Sequence, residues 1–171
     1  FKSKIILIYG PTASGKSDFA IKLAKKIKGE IINADSMQVY KDIKILTARP
    51  LEKDCKIIKH HLYGFQSGRK KFSTGEWLKL ATKKIYEIKE RKKIPILVGG
   101  TGLYFKALVE GLVEIPTIPL KLRNKVRQLQ KKLGQKKFYK KLLKIDPSLI
   151  NKIKSTDTQR SFRAYEIKIF T

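Results

Sequence analysis

Apolar positions along the chain fall into short unbroken runs and helical stripes, and their alternation lays out the elements. Residues 5–8 are continuously apolar, the length of a buried strand. After a polar turn, Phe19, Ala20, Leu23, Ala24 and Ile27 recur on one face of a helix. Gly29 is placed to cap that helix, and Glu30-Ile31-Ile32-Asn33-Ala34 predicts a second short strand. Residues 41–59 are polar and irregular, broken at Pro50, with a short helix expected after it. His60-His61-Leu62-Tyr63-Gly64-Phe65 reads as extended. Ser73 and Glu76 have capping-box spacing and open a helix striped by Trp77, Leu80, Ala81, Ile85 and Ile88. A third strand, 94–98, runs into Gly99-Gly100-Thr101-Gly102, and a helix over 103–109 stops at Gly111. Pro116 and Pro119 then break the chain. Beyond them, 120–133 and 138–145 are lysine-rich helical stretches, and Asp146-Pro147 starts a short helix. Asp157 caps a last helix carrying Gln159-Arg160-Ser161-Phe162-Arg163, with Arg160 and Arg163 on one face.

Strand, helix, strand at the start makes a βαβ unit, so those strands are expected to be parallel and joined by a right-handed crossover. The fold class is therefore α/β, a parallel sheet flanked by helices. The compositional shift after Pro116 predicts a core of residues 1–116 and 154–171, with a small helical insertion over 117–153. At 171 residues the chain is one domain with at most a small appendage. A chain of this size buries roughly 70% of its extended surface, enough for a proper core.

The turn between the first strand and helix is Gly10-Pro11-Thr12-Ala13-Ser14-Gly15-Lys16-Ser17, which fits G-x-x-x-x-G-K-S/T in the strand–turn–helix setting the pattern requires. Glycines let the backbone turn tightly and approach an anion, while the helix N-terminus directs amides and a positive dipole end at it. Lys16 adds a mobile charge, and the Ser17 hydroxyl can ligate magnesium. A nucleotide-binding, ATP-binding type of loop on a P-loop NTPase-like sheet is the expectation. Asp35 ends the second strand and so shares the ligand-binding rim, where it can serve as a base, a metal ligand or a cap for the next turn. The third strand ends in glycines and Thr101 rather than the Asp of a Walker-B strand, which counts against an ordinary nucleotide hydrolase.

Charge narrows the partners. Forty Lys and Arg against fourteen Asp and Glu give +26, which favours polyanions, nucleic acid first. Only seven of the forty are arginine, the residue suited to fork-shaped phosphate contacts, so part of the excess reads as general lysine-rich composition. A single cysteine, Cys55, excludes an internal disulfide and suits a reducing, cytoplasmic setting. Two adjacent histidines plus Cys55 have the wrong number and spacing for a metal site, so a packing role is expected for them. No segment reaches the roughly 20 apolar residues of a membrane span, and no signal peptide is visible.

Taken in order, GPTASGKS, NADSMQVY, PILVGGTGLYFKALVEGL and DTQRSFRAYEI resemble the tRNA dimethylallyltransferase (tRNA isopentenyltransferase) family over nearly the whole chain. The resemblance implies transfer of a dimethylallyl group from dimethylallyl diphosphate to the exocyclic amine of the adenosine 3′-adjacent to the anticodon, with release of diphosphate. It implies magnesium, a monomer acting on a tRNA anticodon stem-loop, and a P-loop domain related to small-molecule kinases. By matching position, the loop from Gly10 to Ser17, chiefly Thr12 onward, holds the diphosphate, with Ser17 on the metal. Asp35 matches the general base, and Asp35, Ser36, Met37 and Gln38 a stretch touching the target tRNA. Thr101 matches a catalytic and tRNA-contact position and Arg123 a single tRNA contact. Gln159, Arg160, Ser161, Phe162 and Arg163 match a further tRNA-contact segment. Two departures stand out. The family's I-G-T-A-K-P is here Ile45-Leu46-Thr47-Ala48-Arg49-Pro50, and the family continues beyond this length, so the chain reads as its front portion.

Three other readings compete. An adenylate isopentenyltransferase shares the donor but modifies a free adenine nucleotide, and the basic charge favours tRNA over it. A small-molecule kinase is opposed by the missing Walker-B Asp and by DSMQVY. A nucleic-acid-binding module with a vestigial loop is opposed by the intact Lys16, Ser17 and Asp35.

Overall fold

The computed structural model describes residues 4–43, 49–50, 52–113 and 118–171. The substituted glycine position, Leu46, therefore lies outside the described residues. Two compact units result, Phe1–Leu112 and Val113–Thr171.

In the first unit four strands form one parallel sheet: β1 (Ile6–Tyr9), β2 (Gly29–Asn33), β3 (His60–His61) and β4 (Ile94–Gly99), in the order β1-β4-β2-β3. The expected βαβ unit is present, but β4 lies between its two strands. Register pairs Tyr9 with Gly99 and Asn33 with Val98, so the ends of all three long strands meet on one rim. Neighbouring residues on each strand serve opposite faces, as the pleat requires. Ile31, Ile96 and Val98 face α1 (Lys16–Ile27) through Ala20 and Ala24. Ile32 and Leu97 face α3 (Thr74–Glu90) and α4 (Gly102–Glu110) through Trp77, Ala81, Ile85, Ile88, Tyr104 and Phe105. Each fully buried Ile or Leu there contributes about 1.5–3 kcal/mol. The short helix expected after Pro50 is α2 (Glu52–Ile57).

The capping box of α3 forms as its spacing predicts: the Glu76 amide donates to Ser73 Oγ, and the Ser73 amide donates to Glu76 Oε2. Two local expectations are corrected. The left-handed residue ending α1 is Lys28 (φ 56°), not Gly29, which already belongs to β2. A Cβ on Gly29 would sit 2.7 Å from Ile96 Cδ1, so close strand packing is what excludes a side chain there. Phe19 is 58% exposed rather than on the buried stripe of α1, because Ala20 and Ala24 hold the contact line with the sheet.

The second unit consists of α5 (Leu120–Ile145), a short turn of 3-10 helix (Pro147–Leu149) and α6 (Thr158–Phe170). Gly134 (φ 72°) kinks α5 between the two lysine-rich stretches recognised in the sequence. Asp157 caps α6 by accepting from the Arg160 amide. Residues 154–171, assigned above to the α/β core, group instead with the helical unit. The reason is an apolar face shared with α5: Phe162 and Tyr165 pack on Phe138, alongside Val126, Tyr139 and Leu142.

Candidate active site at the strand ends

A cavity of about 640 Å³ opens on the rim. One wall is the β1–α1 loop and first helical turn, from Thr12 to Asp18. Asp35, Met37 and Gln38 form the second wall, and Ile43, Tyr63, Val98 and Gly99 the remainder. The size suits a small organic ligand. Gly15 adopts a left-handed conformation (φ 75°) as N-cap of α1, which turns the chain into the helix without a Cβ penalty. The Lys16 ammonium donates to the Pro11 carbonyl and lies 3.3 Å from Ser14 Oγ, so its charge is folded into the loop. Helix-terminal amides, a positive dipole end and an ammonium therefore converge on one side of the cavity.

The opposite wall carries Asp35. Its Oδ1 accepts from the Met37 amide at 2.8 Å, a local turn cap. The second oxygen, Oδ2, lies 3.7 Å from where a Cβ on Gly100 would be, an ordinary contact distance. Gly99 has no alternative at its position. A Cβ there would meet the Ala34 carbonyl carbon and oxygen at 2.1 Å, because the ends of β4 and β2 are drawn together at the rim. The Thr101 hydroxyl accepts from the Ser36 amide (2.9 Å) and donates to Ser36 Oγ (3.2 Å). The Thr101 amide donates to the Ala34 carbonyl at 3.2 Å. Thr101 and Ser36 thus brace the Asp35 turn and do not line the cavity, whereas Met37 and Gln38 do.

Ser17, Asp18 and Asp35 bring hard oxygen donors to the same cavity. Among the described residues no group of three or more His, Cys, Asp or Glu could hold a metal by itself. Such a sparse set fits magnesium, which keeps several waters and shares the phosphate oxygens of a substrate. His60 and His61 take structural roles: His60 Nδ1 lies 2.7 Å from the Ile58 carbonyl, and His61 Nε2 donates to the buried Glu30 carboxylate at 2.6 Å. Four wall residues escaped sequence reasoning, Asp18, Ile43, Tyr63 and Val98. The signal available for Tyr63 was that β3, a parallel strand, must deliver the next residues to the same rim. Burial is the main cause that pushes the Tyr63 phenol above its ordinary value, with Cys55 and Asp35 adding to it, so the hydroxyl stays protonated.

In the second unit, the nine lysines of α5 are exposed, among them Lys136, Lys137, Lys140 and Lys141. Arg123 and Arg163 both approach the buried Glu166 carboxylate, at 3.9 and 3.7 Å. Gln159 and Arg160 are exposed, Arg160 beside Asp157 at 3.5 Å. Ser161 departs from its expected role as an RNA contact, since it is fully buried. Its hydroxyl donates to the Asp157 carbonyl at 2.6 Å and receives Gln135 Nε2 at 3.3 Å. Phe162 is likewise turned toward Phe138 in the interior of the unit.

With this geometry established, comparison with known proteins is decisive. The model of the IPP transferase family matches residues 38–171. The chain belongs to the IPP transferase family. Among IPP transferase relatives, a tRNA dimethylallyltransferase of Pelagibacter ubique (strain HTCC1062) is 70% identical over 170 residues, covering 99% of this chain and 54% of the relative. One from Rickettsia massiliae (strain Mtu5) is 52% identical over 166 residues, covering 97% and 46%. Of solved structures, a eukaryotic dimethylallyltransferase acting on tRNA aligns at a TM-score of 0.84 and 34% identity, over 99% of this chain and 43% of that one. The full-length tRNA isopentenylpyrophosphate transferase of Bacillus halodurans aligns at 0.65 and 36%, over 99% and 56%. The chain thus spans about half the length of the curated IPP transferases it matches. The expected fold class, a P-loop NTPase-like parallel sheet flanked by helices, is borne out.

Proposed function

We propose that the protein transfers a dimethylallyl group from dimethylallyl diphosphate to the exocyclic amine of the adenosine 3′-adjacent to the anticodon in tRNA, releasing diphosphate. The observation that carries this reading is the pairing across one cavity of an anion cradle, residues 12–17, with Asp35, in a chain of the IPP transferase family.

The chemistry follows from that pairing. Loop amides, the α1 terminus and Lys16 receive the diphosphate and stabilise the charge that gathers on it as the allyl C–O bond breaks. The Ser17 hydroxyl would hold a magnesium ion beside the diphosphate, and such an ion would supply further neutralisation of the leaving group. The adenine amine is a weak nucleophile because its lone pair is delocalised into the ring. Asp35 Oδ2, the oxygen opposite the turn-capping Oδ1, takes the amine proton as the N–C bond forms. Adenine reaches the cavity only out of its stack, so base flipping accompanies binding. The apolar side chains of Met37, Ile43 and Val98 supply a wall suited to the dimethylallyl tail. Exposed lysines of α5, with Arg160, Arg163 and Arg123, supply the cationic surface for the anticodon stem-loop, and Gln159 a neutral hydrogen-bonding group.

The test is radiolabelled dimethylallyl diphosphate offered with an anticodon stem-loop, with AMP, or with neither, to this chain and to one extended to its relatives' length. Label on RNA alone is expected. Label on AMP would make the protein an adenylate isopentenyltransferase, and no acceptor labelling by either chain would refute the reading.

A further inference from the structure

One fully hydrogen-bonded polar side chain of the first unit lies not in the cavity wall but just behind it. Asn33, the last residue of β2, is fully buried. Its Oδ1 accepts from the Asp35 amide at 2.9 Å. Its Nδ2 donates to two carbonyls, Asp35 O at 2.9 Å and Leu62 O at 3.0 Å. Its own carbonyl receives the Trp77 indole N–H at 2.8 Å. One carboxamide thus holds both the amide and the carbonyl of Asp35 from below. With its second proton it reaches the segment, 29 residues on, that delivers Tyr63 to the cavity lining.

The Leu62 end of this bracket is strained. Leu62 has φ 62°, a left-handed conformation that a branched side chain rarely adopts. Such a backbone persists only where its surroundings over-determine it, and such strain clusters at functional sites. The Asn33 bond to the Leu62 carbonyl is one restraint, and the Gly64 amide, donating to the Gln38 carbonyl at 2.9 Å, is the next along the chain.

We propose that Asn33 is a positioning residue for the transfer reaction, fixing Asp35 and the Tyr63 wall in one geometry through a single buried carboxamide. This rests on the reading of Asp35 as the base. Without the carboxamide, the Asp35 turn keeps only its Met37 and Thr101 contacts, and Leu62 is released toward an ordinary conformation. Neither change touches the loop that receives the diphosphate. The expected signature is a loss in turnover with donor binding preserved, because misplacement by about 1 Å costs up to roughly 100-fold in rate.

The experiment compares Asn33→Ser, which keeps one short donor, and Asn33→Asp, which keeps the shape but loses both donors, with wild type and Asp35→Asn. The proteins are made at the length that transfers the label. Expected are a kcat lower by about 10- to 100-fold and a KM for dimethylallyl diphosphate within about threefold of wild type. In Asn33→Ser, amide hydrogen exchange should rise together at Asp35 and at Gly64, the residue after Tyr63, while the Ala34 amide, bonded to the Val98 carbonyl at 2.8 Å, stays protected. Normal turnover in a folded variant, or faster exchange at one wall only, overturns the proposal. Loss of folding in both variants overturns it too, since Asn33 would then determine the fold rather than the site. If Asp35→Asn itself turns over normally, the base assignment fails separately, and the exchange of the two walls still decides whether Asn33 couples them.

Discussion

Replacing Glu30 by Gln tests how the entry of β2 is held. The carboxylate is 1% exposed and receives His61 Nε2 at 2.6 Å, Arg91 Nη2 at 2.8 Å and Lys93 Nζ at 3.0 Å. Burial alone would raise this carboxyl, but hydrogen bonds from Arg91, His61 and Lys93 outweigh it and hold the group at about 2, down from 4.5. A carboxyl lowered in the folded state contributes stability above its unfolded pKa and loses it as pH falls toward the folded one. The window here runs from 4.5 down to about 2. At about 1.4 kcal/mol per unit, the displacement corresponds to roughly 3 kcal/mol at neutral pH. Arg91 and Lys93 are 38% and 45% exposed, so solvent screening reduces the figure to roughly 2 kcal/mol. Burial also holds His61 below its ordinary value, so its protonation adds an earlier loss on acidification of the wild type. Urea unfolding at about pH 7 should show Glu30→Gln less stable by roughly 2 kcal/mol, and the gap should narrow by about pH 3 as the wild-type carboxylate begins to protonate. A gap that stays constant with pH would refute the electrostatic account and leave only packing.

Three further outcomes follow from the site. Diphosphate with magnesium should raise the melting temperature of the wild type, since a ligand bound only by the folded state stabilises it. Calorimetry should find that shift gone in Lys16→Ala, and a shift that survives would place the anion elsewhere. Asp35→Asn keeps the Oδ1 cap on the Met37 amide and loses the proton acceptor, so transfer should fall about 10²–10⁴-fold with diphosphate affinity retained. Near-normal transfer would leave Asp35 as a cap alone, and joint loss of metal-dependent affinity would make it a metal ligand. Stem-loop affinity should fall steeply with salt, and more for Arg160→Ala with Arg163→Ala than for Lys136→Ala with Lys137→Ala. Equal losses in a filter-binding titration would mean a diffuse cationic surface.

Most of the first unit was legible because its signals are local. The apolar runs around Ile31 and Leu97, the Ser73–Glu76 box and the loop glycines each specify structure within a few residues. Strand order was less accessible, since nothing local to β1 and β2 says that β4 comes between them. The place of α6 was lost for a similar reason. A stretch such as DTQRSFRAYEI shows that a helix has an apolar face, but its partner, Phe138 on α5, is chosen by packing across the chain. Within the candidate site, residues 12–17 and Asp35 could be read because strand ends carry them directly to the rim. Tyr63 could not, since it arrives through a two-residue strand and a left-handed Leu62. Asn33 was hidden for another reason: a polar residue inside an apolar strand shows nothing of which three backbone groups its amide will reach.

Trp77 is the one tryptophan in the sequence. Its ring lies buried, stacked on Tyr104 at 4.2 Å, with its N–H on the Asn33 carbonyl. This chain therefore carries a single indole, and the indole N–H ends on the residue that underpins Asp35. Emission excited at the indole reports on the floor of the cavity rather than on an average over the molecule. Occupation of the cavity, acid titration of the fold and substitution at Asn33 can all be followed in this chain, without a label, by exciting at the indole.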